Sequence, residues 1–134
     1  MNRIIILIVA MLAIIGGLVW AGTRGQEDAE VLDDRLTFGL VQENITNGAK
    51  LYDVRTVEEF AAGHFANATN FPVETMQAGT LPDVAKDTQI YVYCRSGNRS
   101  GQATTLLKNA GFTNVTDLGG LSAVEAMGGK LVTE

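Results

Sequence analysis

The chain is poor in several residue types that would otherwise suggest a function. It has one cysteine, one histidine, one tryptophan and two prolines among 134 residues. A lone cysteine, Cys94, excludes an intramolecular disulfide, a CxxC redox pair and a zinc site of the thiolate-rich kind. The histidine, His64, lies 30 residues away in sequence, so no metal or other cofactor is expected. Basic residues are in deficit: 10 Lys and Arg against 15 Asp and Glu leave a net charge of −5. That argues against nucleic acid as a main partner, because phosphate binding needs a clustered excess of positive charge. A small local positive site remains compatible with it. Few prolines and 46% apolar residues exclude a disordered chain, and the length suits one domain with a short extension.

The apolar residues are unevenly spread. Residues 4–22, IIILIVAMLAIIGGLVWAG, form 19 uncharged positions, preceded by Arg3 and followed by Arg24. The run is apolar all round, unlike an amphipathic helix on a water-exposed domain. Its length is what a membrane span needs, with Trp20 at an interface. Val19-Trp20-Ala21 also resembles a signal cleavage site, although the run exceeds the usual signal core. Residues 1–22 are therefore expected to be an uncleaved anchor or, failing that, a secretory signal. Either reading places the rest outside the cytoplasm, membrane-anchored or released to the periplasm or medium. Residues 23–35 read as a polar, acidic linker.

From residue 36 the pattern alternates. Phe38, Val41 and Ile45 have helical spacing, with Gly48 as the stop. Residues 49–54 read as a strand. Thr56 caps a helix with Glu58 and Glu59 in its first turn and Gly63 at its end. A second short strand covers 68–71, and an irregular, weakly helical stretch follows. TQIYVYC at 88–94 is the clearest strand. A helix over 99–110, a strand over 113–118 and a last helix near 121–127 complete the series. The expected fold is α/β, with a mainly parallel sheet covered by helices on both faces. Sites in such sheets lie at the carboxyl ends of strands, where Asp53-Val54-Arg55 and Cys94 both fall.

The segment after Cys94 is RSGNRS, residues 95–100. A tight loop between strand and helix can point successive N–H groups inward as an anion nest, with the helix N-terminus behind it. A thiol there loses its proton below the ordinary value of about 8.5, and Arg95 and Arg99 are expected to act in the same direction. Gly97 permits a backbone that a side chain would block, and Ser96, Asn98 and Ser100 supply polar caps. Two chemistries suit such a loop. A cysteine phosphatase needs an arginine after five intervening residues, but that position is Ser100 and Arg99 comes one residue early. Arsenate reduction falls with it. Sulfur transfer needs only the thiolate and a nest to hold the terminal sulfur's charge.

Three blocks, LYDVRTVEEFAAGHFANATNFP at 51–72, CRSGNRSGQA at 94–103 and GFTNVTDLGGL at 111–121, resemble the rhodanese sulfurtransferase family. The resemblance covers residues 36–134. It implies a single rhodanese domain with a persulfide on Cys94, a substrate loop of Arg95, Ser96, Gly97, Asn98, Arg99 and Ser100, and support from Asp53 and Arg55. It also implies an anionic sulfur donor such as thiosulfate and a thiophilic acceptor such as cyanide, with the domain acting as a monomer. Family members also serve as sulfur carriers or interaction modules, so turnover does not follow from the fold. His64 is expected to brace the backbone. The family's Pro-Gly before the alanine is replaced here by Ala66-Asn67.

Overall fold

The computed structural model describes residues 35–133, and the readings made for the apolar segment at 4–22 and most of the linker lie outside these residues. Among the described residues, no helix is long and apolar enough to cross a membrane. Helix α1 (Phe38–Thr46) starts at Thr37, whose hydroxyl accepts the Leu40 N–H, and it buries Phe38 and Val41. Strand β1 (Lys50–Asp53) follows. Helix α2 (Val57–Ala62) opens with a reciprocal capping box between Thr56 and Glu59, which satisfies two otherwise orphaned N–H groups. Next come β2 (His64–Phe65), β3 (Thr69–Asn70), α3 (Val73–Gln77) and β4 (Ile90–Tyr93). The chain ends with α4 (Asn98–Asn109), β5 (Val115–Gly119), α5 (Leu121–Ala126) and β6 (Leu131–Val132).

The main sheet is parallel throughout, in the order β3-β1-β4-β5. Its centre is the β1–β4 pair, with Asp53 beside Tyr93 at the carboxyl end. The chain lays β3 on one side of β1 and then crosses to lay β4 on the other. The loops after β1 and β4 therefore diverge from the point where the winding reverses, the crevice in which such sheets bind ligands.

Alternation along β4 builds a core on each face. Ile90, Val92 and Cys94 pack with Val73, Met76, Ala103, Leu107 and Phe112 beneath α3 and α4. Tyr91 and Tyr93 pack with Phe38, Val41, Phe65, Leu118 and Val124 beneath α1 and α5. All four β4 residues are buried, which is why that segment reads as a continuous apolar run. The two-faced arrangement inferred from sequence is the observed one, with two additions. The weakly helical stretch contains α3. A small antiparallel pair, β2 with β6, ties the end of the described chain to the segment after α2. Asn67 adopts a left-handed conformation (φ 62°), which asparagine tolerates where the family pattern has glycine.

Candidate active site

Cys94 ends the central strand and is fully buried. Its own N–H donates to the carbonyl of Gly119 on the neighbouring strand at 3.0 Å. The following loop curls back so that the Gly97 N–H donates to Sγ at 3.0 Å. Gly97 itself has φ 96°, a left-handed conformation that turns this amide inward and precedes the first residue of α4. The Ser100 hydroxyl lies 3.5 Å from Sγ, also buried, and contacts the Gly97 carbonyl at 3.1 Å.

Burial alone pushes the Cys94 thiol up. Hydrogen bonds outweigh it, from the Ser100 hydroxyl and from the amides of Ser100, Gly97 and Ser96, and the net shift is downward. The cradle expected from sequence is therefore a set of main-chain N–H groups at a helix start, assisted by one hydroxyl. With no accessible surface at Cys94, a donor reaches Sγ only after a displacement of the loop or its side chains.

A second glycine pair braces this loop from behind. Ser96 and Gly120 form an isolated antiparallel bridge, and the Leu121 N–H donates to the Arg95 carbonyl at 3.1 Å. A Cβ at Gly120 would stand 2.6 Å from the Arg95 carbonyl oxygen and 2.9 Å from the Ser96 Cα. Only glycine lets the two backbones approach so closely. The sequence showed this pair as a strand end; its structural duty depends on a contact 25 residues distant.

Beneath the loop lies a buried ion pair. Asp53 is fully buried and Arg55 nearly so. Arg55 Nε donates to Asp53 Oδ1 at 2.9 Å, and Nη2 donates to Oδ2 at 2.6 Å and to the Gly63 carbonyl at 2.6 Å. The guanidinium also stands over the Tyr93 ring, 5.7 Å from its centroid. Burial works against the Arg55 charge, but Asp53 more than offsets it and the pKa rises. Tyr93 is pushed up chiefly by burial, and its hydroxyl oxygen accepts the Phe65 N–H. Asp53 and Arg55 thus join the two strand ends and the segment after α2. Neither makes a hydrogen bond to the thiol among the described residues.

The two loop arginines behave differently. Arg99, in the first turn of α4, reaches across to α2. Its Nη1 donates to Glu59 Oε2 at 2.7 Å and its Nη2 to Oε1 at 2.9 Å. The same Oε2 accepts the Thr56 N–H at 3.0 Å and the Thr56 hydroxyl at 3.1 Å. The Glu59 carboxyl is held down at about 2, first by Arg99 and then by Thr56, against the cost of burial. Arg99 is raised chiefly by Glu59, with smaller contributions from the negative charges of Cys94 and Glu74. Arg95 is exposed, and its side chain makes no ion pair or hydrogen bond among the described residues. Ser96 and Asn98 are exposed as well, and Asn98 accepts from Gln102 through Oδ1.

Sequence reasoning assigned Glu59 only to the helix start and missed its bond to Arg99. The capping-box spacing was visible, but the partner 40 residues on was not. His64 stacks on Phe60, centroids 3.8 Å apart, with Nδ1 at 3.0 Å from the Phe60 carbonyl, which fits the bracing role. Among the described residues no cluster of three or more His, Cys, Asp or Glu could hold a metal ion.

Residues 37–127 match the family described as Rhodanese-like domain. Among curated proteins, the chain is 36% identical over 75 residues to thiosulfate sulfurtransferase PspE of Escherichia coli (strain K12), covering 54% of this chain and 70% of that one. It is 35% identical over 105 residues to adenylyltransferase and sulfurtransferase uba4 of Ogataea parapolymorpha, covering 78% of this chain and 26% of that one. The chain thus spans about a quarter of that longer protein's length. A solved structure described as rhodanese with anions from E. coli superposes with a TM-score of 0.53 at 33% identity, covering 65% of this chain and all of that one.

Proposed function

Because this chain belongs to the rhodanese-like domain family, we propose that it is a sulfurtransferase that carries sulfane sulfur as a persulfide on Cys94, taking it from thiosulfate or a similar donor. The observation that carries this reading is the thiol at the end of the central strand, lowered by three amides and the Ser100 hydroxyl. The Cys94 thiolate attacks the outer sulfur of thiosulfate. A sulfur–sulfur bond to Cys94 forms, the bond to the sulfonyl sulfur breaks, and sulfite leaves with that bond's electron pair. The loaded site is Cys94–S–S⁻. Cyanide then attacks the terminal sulfur, giving thiocyanate and returning the thiolate. No leaving-group acid is required, because sulfite and thiolate depart as anions.

The terminal persulfide sulfur keeps a negative charge, and inward N–H groups at the start of α4 suit it. Residues 95–100 form the substrate loop in this reading, with Arg95 the exposed cation at its rim. Ser100 supports the reading against a phosphatase. It occupies the position where that chemistry needs an arginine, and Arg99 is engaged by Glu59.

The test is intact-mass analysis of the full chain after thiosulfate treatment. Wild type should gain one sulfur, lose it to cyanide and release thiocyanate, and Cys94→Ser should do neither. No loading of the wild type by thiosulfate or by any small persulfide sinks the reading. A second reading, a sulfur carrier without free-standing turnover, is favoured by the match to one segment of the longer uba4 protein. It predicts single loading and delivery to a bound protein partner, with no multiple turnover on cyanide.

The proposal includes a location. The composition of residues 4–22 supports an anchor or signal that places the domain outside the cytoplasm, as a monomer. Intact mass from the native membrane fraction tests whether that segment is retained, and recovery only from the soluble cytoplasm counts against it.

A further inference from the structure

The mouth of the site contains a charge arrangement that sulfur transfer itself does not require. Arg99 follows the loop that cradles Sγ and precedes Ser100, whose hydroxyl lies 3.5 Å from that sulfur. A free guanidinium here would attract anions to the thiol. It is instead paired through both terminal nitrogens with Glu59, on a different helix. Both side chains remain about a quarter exposed (26% and 29%), so the pair lies where an incoming molecule can meet it. Glu59 is itself fixed by Thr56 and is not free to swing aside. Glu74 adds further negative charge felt by Arg99.

From this geometry we infer that Glu59 is a positioning residue that sets the charge preference of the site, by occupying Arg99 and so disfavouring dianionic sulfur donors relative to donors of low charge. The inference rests on the sulfurtransferase reading for the word donor, but its physical content is the field at the thiol. With Glu59 in place the Arg99 charge is spent locally, and anion capture falls to Arg95 and the loop amides. A dianion such as thiosulfate gains little from Arg99, whereas a small organic persulfide, singly charged or neutral, loses little. Glutamine at position 59 keeps the helix cap, since either residue completes a capping box, and removes only the charge.

The experiment is alkylation of Cys94 in the full chain by iodoacetate, an anion, and by neutral iodoacetamide, in low salt. The ratio of the two rates cancels the thiolate fraction and loop opening, which both reagents share. Glu59→Gln should raise the iodoacetate-to-iodoacetamide ratio about threefold or more, an effect that fades in high salt. Arg99→Gln should lower the ratio below wild type, because it leaves Glu59 uncompensated, and the double variant should return close to wild type. Thr56→Ala, which breaks the cap and keeps both charges, should leave the ratio unchanged. In parallel, Glu59→Gln should lower the KM for thiosulfate with kcat little altered.

An unchanged ratio in Glu59→Gln or in Arg99→Gln overturns the inference, as does a double variant that behaves like Glu59→Gln alone. Failure of the wild type to load sulfur from any donor defeats the functional reading instead, and the alkylation ratios still decide the role of Glu59.

Discussion

Two arginine–carboxylate pairs flank the Cys94 loop, and they differ mainly in their distance from water. Asp53–Arg55 lies at the root, with side chains 0% and 5% exposed. Glu59–Arg99 lies at the mouth, with both partners about a quarter exposed. Both bonds are two-pronged, so geometry does not separate them. At the root, neither charge can be rehydrated if its partner is lost, and the pair is bound into the structure. At the mouth, water and ions can replace either partner at small cost, so the same chemistry is free to be adjusted without unfolding the site. The first pair sets where the loop stands, and the second is suited to setting what the loop attracts.

The sharpest way to break this contrast is to cut the root. Asp53→Asn should destabilise the protein by about 3–5 kcal/mol, because Arg55 then holds a buried charge with no counter-ion. Urea unfolding measures it. A loss no larger than that of the mouth pair would mean that burial is not what distinguishes the two. The strut behind the loop comes next. Gly120→Ala forces a Cβ to within 2.6 Å of a backbone oxygen that has no flexible end to move. About 1–3 kcal/mol of stability should be lost, and sulfur loading should slow by roughly tenfold or more as the cradle shifts. Normal loading kinetics would show that the loop does not depend on this contact.

A smaller change isolates the cradle from both pairs. Ser100→Ala removes the one side-chain hydroxyl that lowers the thiol and leaves the amides in place. The pH midpoint of iodoacetamide alkylation should move up, with both ion pairs intact. An unmoved midpoint would assign the thiolate to the amides alone.

What the sequence made legible follows the same division between local and distant contacts. The strands at Lys50–Asp53 and Ile90–Tyr93, the Thr56 cap and the helix after Gly97 each depend on neighbours within a few residues, and each was read correctly to within a residue or two. Cys94 and its cradle were legible for that reason. The two-residue strands β2 and β6 were not, because two residues carry no periodicity. Glu59 with Arg99 and Gly120 with Arg95 were missed because their partners lie 40 and 25 residues away. Side-chain direction decides such contacts, and composition does not reveal it. Arg99 was expected to join Arg95 in lowering the thiol; the amides and Ser100 do so, while Arg99 is directed at Glu59.

The smallest expected effect concerns stability at the mouth. The Glu59 carboxyl sits at about 2, below its ordinary 4.5. A carboxyl lowered by folding stabilises the native state above its unfolded value and loses that contribution as pH falls through the folded one. Wild type should therefore exceed Glu59→Gln by about 1 kcal/mol or less near neutrality, as an exposed pair does. The gap should be intact above pH 4.5 and should close progressively toward about 2. Urea midpoints of the two proteins at matched pH measure it. Adding salt at neutral pH should shrink the same gap, since a pair this exposed is open to screening, while the Asp53→Asn deficit at the root should barely respond. A mouth gap that is large, or indifferent to both acid and salt, would mean that Glu59–Arg99 is as structural as the pair beneath it, and the contrast between root and mouth would be lost.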